Sequence, residues 1–197
     1  MATVRLYFDY IDPGSLLLER RLMRAVAERG VSVERVPFEV RPPPEALIDP
    51  ASDAWLRYWA AIAPEVGEEG LALRSPTPVP WTRKAHELGL HAKEKGLFEE
   101  VHGVLFRSLL EEGRDLGRVD VLVELAGQCG LEPGETKAAL DVDHHTSELE
   151  RLRSVGEAEG VRGVPTLVFG DRVLEGIPSI PELNAFLEER VFGPKGE

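Results

Sequence analysis

The residues best suited to catalysis or ligand binding lie in a short loop, Asp12-Pro13-Gly14-Ser15, which precedes a long helical pattern. The first turn of a helix has backbone N–H groups without partners inside the helix, and the macrodipole makes this end positive. Such a loop can bind an anion. Asp12 fits two interpretations. It is the N-cap of the helix, because Asp followed by Pro is favoured there, or it is a general base or polar anchor for a hydroxyl-bearing substrate.

Ser15 is the second polar side chain of this loop. It either hydrogen-bonds within the first helical turn or donates a hydrogen bond to a bound thiol or carbonyl. No His or Lys lies beside it in the sequence to activate its hydroxyl as a nucleophile. We take Asp12 and Ser15 as the catalytic candidates, with Pro13 and Gly14 as substrate-binding residues of the same loop.

The elements around this loop are predicted to form a βαβ unit. Alternating residues predict strands over Thr3–Phe8 and Val31–Pro37, and apolar residues at helical spacing predict a helix between them that stops at Gly30. A strand, a helix and a strand within about 35 residues favour two parallel strands joined by a right-handed crossover.

The middle of the chain is predicted to be helical. A proline-rich loop over Arg41–Pro50 comes first, and a second proline-rich linker covers Leu71–Pro80. Apolar spacing predicts six helices in this part, namely Ala51–Val66, Trp81–Lys95, Leu97–Glu111, Val119–Cys129, Pro133–Leu140 and His145–Glu159.

The last part of the chain returns to strand patterns. Thr166–Phe169 and Arg172–Leu174 flank a Gly-Asp turn, which predicts a β-hairpin. Ser179 and Glu182 have the spacing of a capping box and predict a final helix over Ile180–Val191.

Composition limits the classes of function. The 197-residue chain has a formal net charge of −12, which argues against nucleic acid binding because phosphate contacts need a basic face. No apolar run suits a membrane span or a signal peptide, so we expect a cytoplasmic protein without membrane contact.

Cys129 is the only cysteine and cannot form an intrachain disulfide. Abundant Arg and Pro, with Asn184 and Gln128 as the only side-chain amides, indicate heat adaptation.

Five short segments, in this order along the chain, carry a family resemblance: Tyr7–Ile11, Pro37–Pro42, Thr82–His86, Leu105–Arg107 and Gly160–Thr166. Over nearly its full length the chain resembles the DsbA-like thioredoxin superfamily. It is most similar to the branch that contains FrnE-type oxidoreductases, 2-hydroxychromene-2-carboxylate isomerases and kappa-class glutathione transferases. The resemblance implies an α/β protein with a thioredoxin fold and an all-helical insertion. Residues 1–40 and 161–197 would form the thioredoxin-like domain, and residues 41–160 the insertion.

The resemblance also implies what the site should contain. Redox members have Cys-Pro-x-Cys in the first loop, whereas this chain has Asp12 and Ser15 at the cysteine positions, so dithiol oxidoreductase activity is not expected. Pro165 should follow a cis bond that turns the backbone of Val164 toward the loop, where it can pair with a peptide or glutathione backbone. Alternatively, Pro165 only shapes the strand entry. Relatives bind substrate between the insertion and the thioredoxin half, which makes Trp81 and His86 further substrate-binding candidates.

Two functions remain open at this point. The first is an isomerase- or transferase-type enzyme acting on a small organic substrate, with glutathione or another thiol as a potential cosubstrate. The second is a redox-inactive module that binds a peptide or small molecule. A disulfide oxidoreductase would follow from the family label alone. Relatives often dimerise, so a homodimer is a further expectation, although no exposed apolar stripe requires it.

One cluster of metal-binding residue types, Asp141–His145, is predicted to cap the helix that follows rather than to bind metal, because no second cluster lies near it in the sequence. We therefore predict no metal site. The remaining candidates occur within helical patterns. His91 and His102 are predicted to have structural or surface roles, and Cys129 is predicted to be an ordinary buried thiol.

Overall fold

The fold was analysed in a computed structural model that describes residues 2–188. Within these residues the chain forms four strands and eight helices. The strands are β1 (Ala2–Phe8), β2 (Val31–Pro37), β3 (Thr166–Phe169) and β4 (Arg172–Glu175). The helices are α1 (Pro13–Val26), α2 (Asp53–Glu68), α3 (Arg83–Glu94), α4 (Phe98–Leu110), α5 (Val119–Gln128), α6 (Pro133–Asp141), α7 (Thr146–Ala158) and α8 (Ile180–Glu188).

The four strands form one mixed sheet in the order β2-β1-β3-β4. β1 and β2 are parallel, with Ala2 opposite Val31 and Phe8 opposite Pro37, so the predicted βαβ unit is confirmed. β3 runs antiparallel to β1 and to β4, as predicted for the hairpin. This arrangement brings the start of β3 next to the end of β1, where the candidate loop begins.

Both faces of the sheet are covered, because alternate residues of β1 point to opposite sides. Val4, Leu6 and Phe8 belong to the main core cluster, together with apolar residues of α1 and α8. Tyr7 belongs to a second cluster on the other face, against which Leu152 of α7 packs. The end of β1 is therefore held rigidly from both sides.

Helices α2 to α7 lie between β2 and β3 in the chain and form the predicted helical insertion. Each predicted helix of the insertion is present, with ends that differ by at most two residues, which is the usual uncertainty of helix boundaries. The capping box is also confirmed, because Ser179 and Glu182 exchange side-chain and backbone hydrogen bonds. Positions 189–191 of the predicted last helix, and the rest of the chain to 197, lie outside the described residues.

No helix within residues 2–188 is both long and apolar enough to cross a membrane.

Two glycines provide a matched test of packing between the insertion and the sheet. A Cβ atom at Gly156 of α7 would lie 2.7 Å from the ring of Tyr7, which is fully buried, whereas a Cβ at Gly103 of α4 would meet nothing within 4 Å. We expect Gly156→Ala to lower the free energy of unfolding by about 1–3 kcal/mol through overpacking. Gly103→Ala should raise it by about 0.5–1 kcal/mol, because Ala is the better helix former. Denaturant unfolding measures both, and equal gains in stability would contradict the packing described for Tyr7.

Candidate functional site

The carboxylate of Asp12 lies at the N-terminus of α1 and accepts four hydrogen bonds. Backbone N–H groups of Gly14 and Ser15 donate to it over 3.3 and 2.7 Å, and the Ser15 hydroxyl donates over 2.6 Å. The hydroxyl of Tyr58 donates to its Oδ1 atom. Asp12 is only 4% exposed. The N-cap interpretation is therefore confirmed, and the positive end of α1 is neutralised by a side chain of the protein itself.

Ser15 is fully buried, and its hydroxyl is used twice. It donates to Asp12 and accepts a hydrogen bond from the backbone N–H of Asp9 over 3.3 Å. These bonds match the interpretation in which Ser15 hydrogen-bonds within the loop. Because the donor is directed at Asp12, Ser15 supports the position of that carboxylate.

Tyr58, which sequence analysis did not select, completes the site. It comes from α2 of the insertion, between Trp55 and Trp59, which recur at helical spacing. Nothing in the local pattern distinguishes Tyr58 from its neighbours. Its role depends on the tertiary contact that brings α2 over the start of α1, where its hydroxyl reaches Asp12.

Gly14 allows this close approach. A Cβ atom at position 14 would lie 2.8 Å from the Tyr58 hydroxyl, 3.1 Å from Cδ1 of Ile177 and 3.3 Å from Cδ of Pro165. The Val164–Pro165 peptide bond is cis. The loop and the proline segment are thus in contact, as predicted. Pro13, Gly14 and Pro165 are covered by protein and do not form open surface.

Burial raises the pKa of Asp12 to about 6. Hydrogen bonds from Ser15 and Tyr58 act in the opposite direction, and the nearby charge of Asp9 raises the pKa further. Burial, together with the charge of Asp12, raises the pKa of Tyr58, so this phenol remains protonated at neutral pH. A carboxyl group with a pKa near 6 is suited to accept and return protons close to physiological pH.

A cavity of about 380 Å³ opens beside this pair of side chains. Its volume is in the range of sites that bind small molecules. Most of its wall is apolar, with Arg41, Asp49 and Ser52 as further polar residues. The residues that line it are Ile11, Asp12, Val40, Arg41, Leu47, Ile48, Asp49, Ser52, Ala54, Trp55, Tyr58 and Val164. It lies between the thioredoxin half and the insertion.

Two of the predicted substrate-binding residues lie elsewhere. Trp81 lines a neighbouring cavity of about 470 Å³, because its indole N–H donates to the C=O of Glu45 and holds the ring there. Leu47 lines both cavities. His86 is buried in the core, where its Nε2 atom lies 3.1 Å from Oδ1 of Asp9. Of the eight predicted site residues, Asp12 and Val164 line the 380 Å³ cavity.

Buried polar contacts fix the loop to the insertion from behind. Asp9 accepts the backbone N–H of Val40 over 2.6 Å in addition to its contact with His86 of α3. Tyr10 packs beside His86, with ring centroids 4.8 Å apart. The hydroxyl of Tyr10 lies 3.1 Å from Nδ1 of His102, and Nε2 of the same imidazole lies 2.8 Å from Glu19. These contacts join the end of β1 to α1, α3 and α4.

The family of the chain follows from a comparison with known proteins. The DSBA-like thioredoxin domain matches it over residues 3–188. The chain belongs to this family. The loop before α1 has Asp12 and Ser15 at the positions where redox members of the family have cysteines. The one cysteine of the chain, Cys129, lies at the end of α5. This DSBA-like domain therefore cannot cycle a dithiol within one chain.

Several known proteins match this chain over most of its length. The uncharacterized protein YwbO of Bacillus subtilis is 31% identical over 179 residues, which cover 88% of this chain and 89% of YwbO. A "probable DsbA oxidoreductase" of Streptomyces coelicolor superposes with a TM-score of 0.83 at 22% identity, covering 100% of this chain and 92% of that one. A 2-hydroxychromene-2-carboxylate isomerase superposes with a TM-score of 0.79 at 17% identity, covering 96% of both chains. These structural matches establish the DsbA-like fold.

The raised pKa of Asp12 predicts a specific pH dependence of stability. Between its ordinary pKa of 3.8 and the raised value of about 6, the folded protein binds more protons at this group than the unfolded chain does. Stability contributed by the protonated group is thus lost as the pH rises through this window. Relative to Asp12→Asn, the wild type should lose about 2 kcal/mol of unfolding free energy between pH 4 and 7. Other titrating groups cancel in this difference, which denaturant unfolding measures. A difference that does not vary with pH would contradict the raised pKa.

Proposed function

We propose that this protein is an isomerase-type enzyme that moves a proton within a small organic substrate held in the 380 Å³ cavity. The observation that carries the proposal is the Asp12–Tyr58 pair, a buried carboxylate with a pKa of about 6 joined by a hydrogen bond to a phenol of the cavity wall. Asp12 has no free acceptor position, because four donors already surround it. It therefore acts through Tyr58.

The proposed reaction consists of two coupled proton transfers, and every proton is accounted for. A substrate proton passes to the oxygen of Tyr58 while the hydroxyl proton of Tyr58 passes to the ionised carboxylate of Asp12. Reversal of both transfers at a second position of the substrate gives the isomer and restores the pair. One bond to hydrogen breaks, another forms, and nothing is oxidised or reduced. The hydrogen bonds from Ser15 and from the start of α1 keep Asp12 aligned during both steps.

The cavity favours a small, largely apolar substrate with a negatively charged group. Leu47, Ile48 and Trp55 supply apolar wall, and Arg41 supplies a guanidinium group at the rim. Half of the Arg41 side chain is exposed, and its ion pair with Glu45 at 3.2 Å lies at the surface, so the pair is weak enough to be exchanged for a substrate carboxylate. The structural similarity to 2-hydroxychromene-2-carboxylate isomerase is consistent with this class of substrate.

A transferase that uses glutathione is less well supported. A cytosolic disulfide reductase, DsbM of Pseudomonas aeruginosa, has been solved with GSH and superposes with a TM-score of 0.65 at 20% identity, covering 96% of this chain and 98% of that one. In this chain, however, the N–H groups that would stabilise a thiolate already bind the carboxylate of Asp12. The negative charge of Asp12 would also repel a thiolate placed there.

A binding module is the second candidate, and the backbone of Val164 favours it. Val164 lines the cavity, and neither its N–H nor its C=O has a hydrogen-bond partner among residues 2–188. An extended peptide or amide ligand could pair with both groups, as in β-strand addition on a small scale. Such binding would need no proton transfer by Asp12.

Hydrogen exchange with solvent distinguishes the enzyme from the binding module. Small unsaturated carboxylic acids that raise the melting temperature would be incubated with the protein in D2O and followed by NMR. We expect the wild type to introduce deuterium into a bound acid. Tyr58→Phe should slow this exchange by about 10²–10⁴-fold, because it removes the proton relay, while ligand binding changes little.

Ser52→Ala is the matched control, since Ser52 lines the same cavity and its side chain makes no cap hydrogen bond to α2. This variant should exchange at the rate of the wild type. Binding without any exchange in the wild type would refute the enzyme and leave the binding module. Equal exchange in Tyr58→Phe would refute the proton relay through Asp12 and Tyr58.

Replacement of the carboxylate tests the thiol hypothesis separately. Asp12→Ser removes the negative charge and frees the N–H groups at the start of α1, so we expect glutathione to bind more tightly than to the wild type. Asp49→Asn removes a carboxylate from the rim of the same cavity and should have little effect. Isothermal titration calorimetry measures both, and an unchanged affinity in Asp12→Ser would count against the repulsion argument.

A further inference from the structure

A second group of functional side chains lies on the insertion, away from Asp12. His91 and Glu94 occupy the last turn of α3 at a spacing of three residues, so they share one face of the helix. His145 immediately precedes α7 and packs against that face, with its ring centroid 6.0 Å from that of His91. One nitrogen of each imidazole and one carboxylate oxygen of Glu94 all lie within 4.8 Å of one another.

From this arrangement we propose that His91, Glu94 and His145 bind a divalent transition-metal ion, with Zn²⁺ as the best match. Two imidazole nitrogens and one carboxylate oxygen form a ligand set that zinc proteins use, with metal–ligand distances near 2.0–2.2 Å. Nε2 of His145 lies 3.8 Å from a carboxylate oxygen of Glu94, slightly more than the ~3.3 Å separation of ligands around tetrahedral zinc. Glu94 is exposed, so a small rotation of its side chain closes the difference.

The unsatisfied nitrogen of His145 is an independent observation that points to a ligand. His145 is 5% exposed, yet its Nε2 atom is buried and has no hydrogen-bond partner among residues 2–188. A buried polar atom without a partner is unfavourable and rare in folded proteins. The expected cap does not explain it, because the side chain of His145 makes no cap hydrogen bond to α7. A metal ion at this position would satisfy the nitrogen.

The surface beside the cluster leaves the ligand atoms accessible. Two cationic side chains near it are held by other carboxylates, Lys95 by Glu135 at 2.7 Å and Arg151 by Glu148 at 2.7 Å. A cavity of about 690 Å³ beside Glu94 and His145 leaves room for water at the fourth coordination position.

The site would join the end of α3 to the start of α7. His145 packs against His91 and lies 3.8 Å from Glu94, so an ion bound to all three would link the two helices. Such an ion would stabilise the folded insertion by an amount that grows with the logarithm of its concentration over the dissociation constant. This inference is independent of the proposed proton transfer, because neither the Asp12 cavity nor its lining residues take part.

Metal binding can be measured with the full-length, untagged protein after treatment with EDTA. Zn²⁺ should bind with a stoichiometry of one and raise the melting temperature by roughly 5–10 °C at 100-fold excess over the dissociation constant. Co²⁺ should give the visible absorption bands of a tetrahedral site. His91→Gln, Glu94→Gln and His145→Gln should each weaken binding at least tenfold and abolish those bands.

His144→Ala is the matched control, because this imidazole is exposed and adjacent in sequence but does not belong to the cluster. It should bind Zn²⁺ and Co²⁺ like the wild type. Melting curves without metal establish that each variant is folded. Binding that survives both His91→Gln and His145→Gln, or the lack of saturable binding at millimolar Zn²⁺, would overturn the proposal.

Discussion

The arrangement of the candidate site depends on the group that neutralises the positive N-terminal end of α1. In this chain the carboxylate of Asp12 fills that position and accepts the N–H groups of Gly14 and Ser15, so no external thiolate or other anion is needed there. The same carboxylate receives the hydroxyl of Tyr58 and thereby joins the insertion to the thioredoxin half. Burial disfavours the ionised carboxylate and raises its pKa to about 6. The hydrogen bonds from Ser15 and Tyr58 offset part of this effect, because they stabilise the ionised form.

Buried polar contacts behind the loop make this arrangement rigid. Burial acts to raise the pKa of Glu19, but the hydrogen bonds and charges of His102 and Arg35 outweigh it, so the pKa lies below its ordinary value. Asp9 and His86 form a corresponding contact on the α3 side. Helices α1, α3 and α4 are thus connected to the end of β1 through buried ionisable groups. The proposed proton relay between Asp12 and Tyr58 would depend on such a scaffold, because small displacements of Tyr58 would break it.

Local patterns in the sequence were sufficient for the fold but only partly sufficient for the site. Alternation and helical spacing predicted the βαβ unit, the six insertion helices and the hairpin, since these signals depend on neighbours in the chain. The capping role of Asp12 was predictable for the same reason. Tyr58 was not, because its contact joins residues 46 positions apart on different elements. Trp81 was selected because relatives bind substrate between the insertion and the thioredoxin half, and its hydrogen bond to Glu45 could not be anticipated. His91 and His145 likewise come together only through the packing of α3 and α7.

The ionisation of Asp12 is the quantity on which the account of the site rests. It can be measured directly by following the side-chain ¹³C carboxyl resonance of Asp12 by NMR as a function of pH, in the wild type and in Tyr58→Phe. The account predicts a pKa of about 6 in the wild type and a higher pKa in the variant, because the hydrogen bond from Tyr58 stabilises the ionised form. A pKa near the ordinary 3.8, unchanged by the loss of the Tyr58 hydroxyl, would contradict it.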